Sequence, residues 1–249
     1  MNDYATQLRQ FIAENPSVFD DEWSTLGPMP EMPEKIEASE LILASASPRR
    51  RELLNKLGVD FVVRPSNVNE DPQSGETPLE TQHRITRAKA QSSVIGHPSQ
   101  IVIACDTTVL LDGEMLNKPA DASEARSMLR KLRGRTHLVQ SAIVVRQGGD
   151  ERIDVVASRV TMRHYSDDEI EAYISSGDPF DKAGSYAVQH ESFQPVQEIR
   201  GCPLNVIGLA LCHLRVLLPH LPASEPACAA YFGQACPARL DDPAHVVSG

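Results

Sequence analysis

The sequence has no basic excess, no long apolar run, no cysteine pairing pattern and no repeat, and each absence excludes a class of protein. Lysine and arginine number 24 against 34 aspartates and glutamates, a formal net charge of -10. A chain that grips nucleic acid along its length needs cations for the phosphates, so that class is disfavoured. The longest uncharged apolar stretch, near Gly201 to Leu214, is interrupted by Pro203 and Asn205. It falls short of the roughly 20 residues that span a bilayer. Met1-Asn2-Asp3-Tyr4 has neither the basic start nor the apolar core of a secretory signal, which predicts a cytoplasmic chain without a membrane segment. Cys105, Cys202, Cys212, Cys228 and Cys236 are odd in number and lack C-x-x-C spacing, so reduced thiols are expected rather than a disulfide framework or a zinc knuckle. No repeat of 20 to 50 residues is present.

What is there is unevenly spread. Residues 1 to 38 hold eight acids and two bases, whereas residues 39 to 218 hold 23 acids and 21 bases. The acidity therefore belongs mostly to an N-terminal extension, residues 1–39. Tyr4, Leu8, Phe11 and Ile12 fall at helical spacing there, and a Pro-rich linker from Gly27 to Glu34 follows. Residues 40–218 read as one globular domain, and residues 219–249 as a loose Pro/Ala-rich tail.

Within the domain, strand and helix signals alternate. Leu41 to Ala44 is a short buried strand, and Ser47-Pro48 opens a helix with serine at the cap and proline at the first position. Phe61-Val62-Val63 reads as a strand. Thr77-Pro78-Leu79-Glu80 is a capping box for a helix to about Ser93. Ile101 to Ala104 and Val109 to Leu111 read as two strands, the second turning at Asp112-Gly113. A helix starts at Asp121, His137 to Val145 and Asp154 to Met162 pair around Gly148-Gly149, Ser166 to Glu169 forms another capping box, and Val206 to Leu218 is the last helix. The pattern predicts an α/β fold, a mixed central sheet flanked by helices.

Four segments carry candidate chemistry. In Leu41 to Arg51, a strand, a serine-rich turn and a helix start gather free N–H groups, hydroxyls and the guanidinium forks of Arg49 and Arg50, which suits an anion; a capped helix with solvated arginines explains the same residues plainly. Asp106 follows a buried run, at the strand end where α/β sheets place ligands, as a general base or a metal ligand, or as a turn cap with Thr107. Lys89 and Lys118 can point compact charges into a cleft, although a lysine taken singly is more often a solvated surface residue. In Asp181 to Gln189, small residues permit close backbone approach, and Gln189 offers an amide for a base edge.

Taken together, L-A-S-A-S-P-R-R, the D-T after a buried strand, K-P, S-M-L-R-K-L-R-G-R-T-H and D-K-A-G-S-Y resemble the Maf family of nucleoside triphosphate pyrophosphatases, from Leu41 to about Leu218. The resemblance implies an inosine-triphosphatase-like fold with a cleft between two lobes. It also implies hydrolysis between the α- and β-phosphates of a nucleoside triphosphate with a divalent cation, Mg2+ or Mn2+, to clear noncanonical nucleotides or trim a pyrimidine pool. Asp106 falls on the family's proton acceptor, Ser45, Arg50, Lys89 and Lys118 on phosphate-binding positions, and Glu70 with Asp106 on the metal side. Arg49, Thr107 and Gln189 match members that prefer dTTP and UTP, where the 7-methyl-GTP type carries tryptophan in place of this arginine. The implied partner is the nucleotide, with a homodimer as the candidate assembly. The competing class is a nucleotide-binding regulator of cell division and septum formation with vestigial hydrolysis. Asn67 and Asn69 stand where aspartates are usual, Ala104-Cys105 where Gly-Ala is, and His190 where glycine is often found, which predicts altered metal affinity and a narrower base pocket. Cys202-Pro203-Leu204 also departs from the usual segment before Asn205.

Overall fold

A computed structural model describes residues 41–94 and 99–222. The amphipathic segment, the Pro-rich linker and the tail beyond residue 222 lie outside the described residues. Among the described residues the strands form one seven-stranded mixed sheet in the order β2-β1-β3-β5-β6-β7, with β4 paired to β3. They are β1 (Leu41–Leu43), β2 (Val62–Val63), β3 (Ile101–Leu111), β4 (Glu114–Leu116), β5 (Thr136–Gln147), β6 (Asp150–Met162) and β7 (Val196–Arg200). The helices are α1 (Pro48–Asn55), α2 (Pro78–Ser92), α3 (Ala122–Leu132), α4 (Asp167–Ser175), α5 (Pro203–Ile207) and α6 (Leu211–Leu217).

Both expected capping boxes form. Thr77 accepts from the Glu80 backbone N–H while the Glu80 carboxylate reaches back to the Thr77 N–H at 2.7 Å, and Ser166 and Glu169 repeat the arrangement at α4. Asp121 caps α3 by accepting from the Glu124 N–H. The long hairpin β5–β6 turns at Gly148-Gly149, with Gln147 opposite Asp150.

Four elements differ from the sequence reading, and one of them is β7, a strand it did not contain. Ile101 to Leu111 is one continuous strand rather than two, because β5 pairs with it from Ile101 to Leu110 and carries the backbone straight through the polar triplet Asp106-Thr107-Thr108. Asp106 consequently lies in mid-strand, and neither ends a strand nor caps a turn. Beyond β3, Asp112 (φ 53°) and Gly113 (φ 82°) both take the left-handed backbone of a two-residue hairpin loop, which returns the chain as the unexpected β4. The last helix is broken into α5 and α6 at Gly208, whose φ of 134° no ordinary side chain adopts readily.

The outer edge of β3 organises the molecule. Its first residues, Ile101 to Ile103, pair parallel with β1, and its last, Val109 to Leu111, pair antiparallel with β4. Between them Ala104 to Thr108 have no strand partner on that edge, and a cleft opens there. Below it, Leu41, Leu43, Ile103, Cys105 and Ile143 pack against α1, α5 and α6 on one face of the sheet, while Ile42, Val102, Ala104 and Val144 pack with Ala90 of α2 on the other. Above it, Val109, Leu111, Val139 and Val160 form a second core with α3, α4, Tyr165, Tyr186 and Phe193.

Candidate active site

A strand alternates its side chains between two faces, and this decides what Asp106 and Thr107 meet. Even-numbered residues of β3 face α2, so Asp106 points toward Lys89, which lies seven residues, two turns, after Gln82 on the same helix face. Lys89 Nζ donates to Asp106 Oδ1 at 2.7 Å and to Glu70 Oε1 at 2.8 Å. The Lys89 side chain is only 8 % exposed, so the solvated-surface account of this residue is overturned. An ammonium has three donors, and two are used on the carboxylates. Gln82, which sequence reasoning missed, braces this wall: its Nε2 donates to the carbonyls of Asp106 (3.2 Å) and Gln140 (2.9 Å) and to Thr108 Oγ1 (3.0 Å). The signal was an amide on the sheet-facing side of α2, two turns before Lys89.

Odd-numbered residues face α1, and Thr107 meets Arg50 there. The turn before α1 is tied by its serines: Ser45 Oγ accepts from the Ser47 N–H, and Ser47 Oγ accepts from the Arg50 N–H. The Arg50 guanidinium donates from Nε to the Gly208 carbonyl at 2.9 Å, from Nη1 to Ser45 Oγ at 3.2 Å and from Nη2 to Thr107 Oγ1 at 3.0 Å. All three acceptors are neutral. Its charge is therefore held in place without an ion pair among the described residues, at the positive end of an eight-residue helix, which is an arrangement suited to an anion. The break at Gly208 now has a role: it turns a carbonyl toward Arg50, and the same oxygen lies 3.3 Å from Cys105 Sγ.

These groups share one cavity of about 510 Å³. Ser45, Arg49, Arg50, Glu70, Lys89, Asp106, Thr107, Lys118 and Gln189 all line it, so the structure brings together every residue the sequence singled out. Lys118 and Gln189 are exposed at its rim. Arg49 crosses the cleft, its Nη1 lying 3.2 Å from Asp181 Oδ2. Asp181 and Lys182 also line the cavity and were missed, although both stand in the D-K-A-G-S-Y motif.

The departures from the family pattern are placed as follows. Asn69 Oδ1 accepts from the Asp71 N–H at 2.8 Å and fixes the loop that carries Glu70; neither Asn67 nor Asn69 lines the cavity. His190 does not line this cavity: it packs edge-on against Tyr173, and its Nδ1 accepts from the Phe193 N–H. Cys105 is fully buried, and burial pushes its thiol up, away from the thiolate form that a nucleophile needs. Cys105, Cys202 and Cys212 are buried and form no disulfide among the described residues.

The donor set fits a divalent ion held jointly with a substrate. Glu70 and Asp106 converge on one cationic atom, and magnesium is commonly bound by one or two carboxylates together with phosphate oxygens. Among the described residues no group of three histidine, cysteine, aspartate or glutamate side chains forms an all-protein metal cage, and no helix is long and apolar enough to cross a membrane.

Comparison with known proteins gives the class. The chain is 46% identical over 173 residues to a dTTP/UTP pyrophosphatase of Syntrophus aciditrophicus (strain SB), covering 69% of this chain and 84% of the relative. It is 45% identical over 172 residues to one of Thermomicrobium roseum (69% and 79%), and 44% identical over 197 residues to one of Anaeromyxobacter dehalogenans (strain 2CP-C), covering 76% of this chain and all of the relative. Fold, cleft and relatives together define a hydrolase, a nucleoside triphosphate pyrophosphatase. The family model described as Maf-like protein matches residues 40–221, and the chain belongs to the Maf family.

Proposed function

We propose that the cleft takes a pyrimidine nucleoside triphosphate, dTTP or UTP, and releases the monophosphate and pyrophosphate. The observation that carries this reading is the Lys89 ammonium bridging Asp106 and Glu70, opposite an Arg50 guanidinium that no carboxylate among the described residues neutralises. Arg50, Ser45 and the amino end of α1 bind phosphate oxygens on one wall, and Lys89 and Lys118 bind them on the other. Asp106 accepts a proton from the attacking water as its oxygen bonds to the α-phosphorus. The bond from that phosphorus to the bridging oxygen breaks, and the electron pair leaves on pyrophosphate, where the cations stabilise it. A divalent cation held by Glu70, Asp106 and the phosphates supplies further charge neutralisation when bound. Gln189, which lines the same cavity, pairs its amide with the donor and acceptor edge of the base, and the names of the relatives support a pyrimidine there.

The test is pyrophosphate release from dTTP, UTP, CTP and 7-methyl-GTP with Mg2+ or Mn2+, run in water enriched in oxygen-18. We expect dTTP and UTP to lead, with the heavy oxygen appearing in the monophosphate. A lead for 7-methyl-GTP overturns the pyrimidine assignment, and label in pyrophosphate overturns attack at the α-phosphorus. Chelation should abolish turnover while leaving the thermal midpoint unchanged, because the described residues form no all-protein cage that would contribute to folding.

A further inference from the structure

The cleft holds a second charged cluster that the proposed chemistry does not use. Lys182, 8 % exposed, donates to Asp178 Oδ1 at 2.7 Å, to the Asp178 carbonyl at 2.5 Å and to Asp181 Oδ1 at 2.7 Å. Its three donors are thereby all taken, and no N–H remains for a phosphate. Asp178 is itself anchored by the Tyr173 hydroxyl at 2.7 Å, so the cluster is rooted in the upper core. Asp181 presents its other oxygen to Arg49 Nη1 at 3.2 Å, and its carbonyl takes Nη2 at 3.5 Å. Burial alone would push the Asp181 carboxyl up, but Lys182 and Arg49 outweigh it and hold it below the usual carboxylate range. It is anionic at neutral pH.

This arrangement treats the two neighbouring arginines differently. Arg50 is held by neutral acceptors and keeps its charge for the substrate, whereas Arg49 is neutralised by Asp181. Of the five N–H groups of Arg49, the pairing uses two and leaves three directed by a fixed fork. A neutralised guanidinium at the cavity wall is a poor phosphate ligand and a good donor to an uncharged carbonyl. Asp181 lies eight residues before Gln189 on the segment that lines the same cavity, so Arg49 reaches across to the segment that carries Gln189.

We propose that Asp181, held by Lys182, is a specificity-positioning residue that fixes Arg49 as a donor to a base carbonyl and keeps it from the triphosphate. The proposal rests on the pyrimidine triphosphate reading above. Its test is kcat and KM for UTP and CTP, which differ at a carbonyl against an amine, in the wild type, Asp181→Asn, Asp181→Glu, Arg49→Ala and the double variant Asp181→Asn with Arg49→Ala. Asp181→Asn should reduce the UTP/CTP preference about tenfold, mainly through KM, with kcat within about twofold. Asp181→Glu should restore part of it, and the double variant should resemble Arg49→Ala alone. Unchanged preference in Asp181→Asn, additive losses in the double variant, or an equal fall in kcat for both substrates would each overturn it. A wild type that releases no pyrophosphate from either nucleotide would instead overturn the parent reading, so the two failures are distinguishable.

Discussion

At the scale of single residues, position on β3 assigns the work. Two adjacent side chains, Asp106 and Thr107, reach opposite walls of the cleft because a strand alternates, and one slip of register would exchange them. Asp106→Asn keeps the shape of the side chain and removes its basicity. Turnover should fall by a factor on the order of 10² to 10⁴ while the thermal midpoint stays close to wild type; near-normal turnover would exclude Asp106 as proton acceptor. The site residues were legible because each sat in a short motif of distinctive chemistry. Gln82 and Asp181 were not, since Gln82 acts through residues 24 to 58 positions away and Asp181 through Arg49, 132 positions away; Lys182 serves only to hold its near neighbours Asp178 and Asp181, so it was not legible either.

At the scale of elements, caps and breaks fix where the walls stand. The box at Thr77 and Glu80 starts α2 and so sets the height of Lys89 against β3. Thr77→Ala should cost about 1 kcal/mol, read as a lower urea midpoint, because the Glu80 N–H loses the hydroxyl that accepts it. Gly208→Ala tests the other wall. The added methyl group would meet Arg50 only at ordinary contact distance, 3.7 Å, so the cost comes from the backbone φ of 134°. We expect a loss of about 1–3 kcal/mol in unfolding experiments and a raised KM for the nucleotide, as the carbonyl moves off Arg50. Sequence reading found the hairpin β5–β6 and the capped helices, whose signals are local. It missed β4, only three residues long, and β7, whose Val-Gln-Glu-Ile-Arg has no clean alternation. It also ran α5 into α6, since Gly208 stands among apolar residues that continue a helical pattern.

At the scale of the whole molecule, two buried histidines set the response to acid. Burial pushes His83 down to about 4, aided by Arg87, and pushes His137 down to about 4. A histidine whose folded pKa lies below its unfolded value near 6.5 takes up its proton more readily in the unfolded chain. Stability is therefore lost as pH falls from about 6.5 toward 4. Each should contribute a loss of about 1–2 kcal/mol between pH 7 and pH 5. Glu76 and Glu169, held at about 2 mainly by hydrogen bonds from Arg84 and Arg163, add their losses below pH 4.5. Urea midpoints measured across this range check the window, and His83→Gln should flatten the upper part of it.

The unpaired stretch of β3 between its two outer neighbours has a mechanical consequence. The strand belongs to both halves of the molecule, and its inner edge is laced to β5 along ten residues, so it acts as a spine that neither half can leave. Any opening or closing of the cleft must bend or twist about Ala104 to Thr108, because only there is one edge unclamped. Asp106 and Thr107 then sit on the pivot, where displacement is smallest, while Arg49 and Asp181 sit at the mouth, where it is largest. Such a motion would leave Asp106 and Thr107 nearly in place and would change chiefly the Arg49 to Asp181 separation across the mouth.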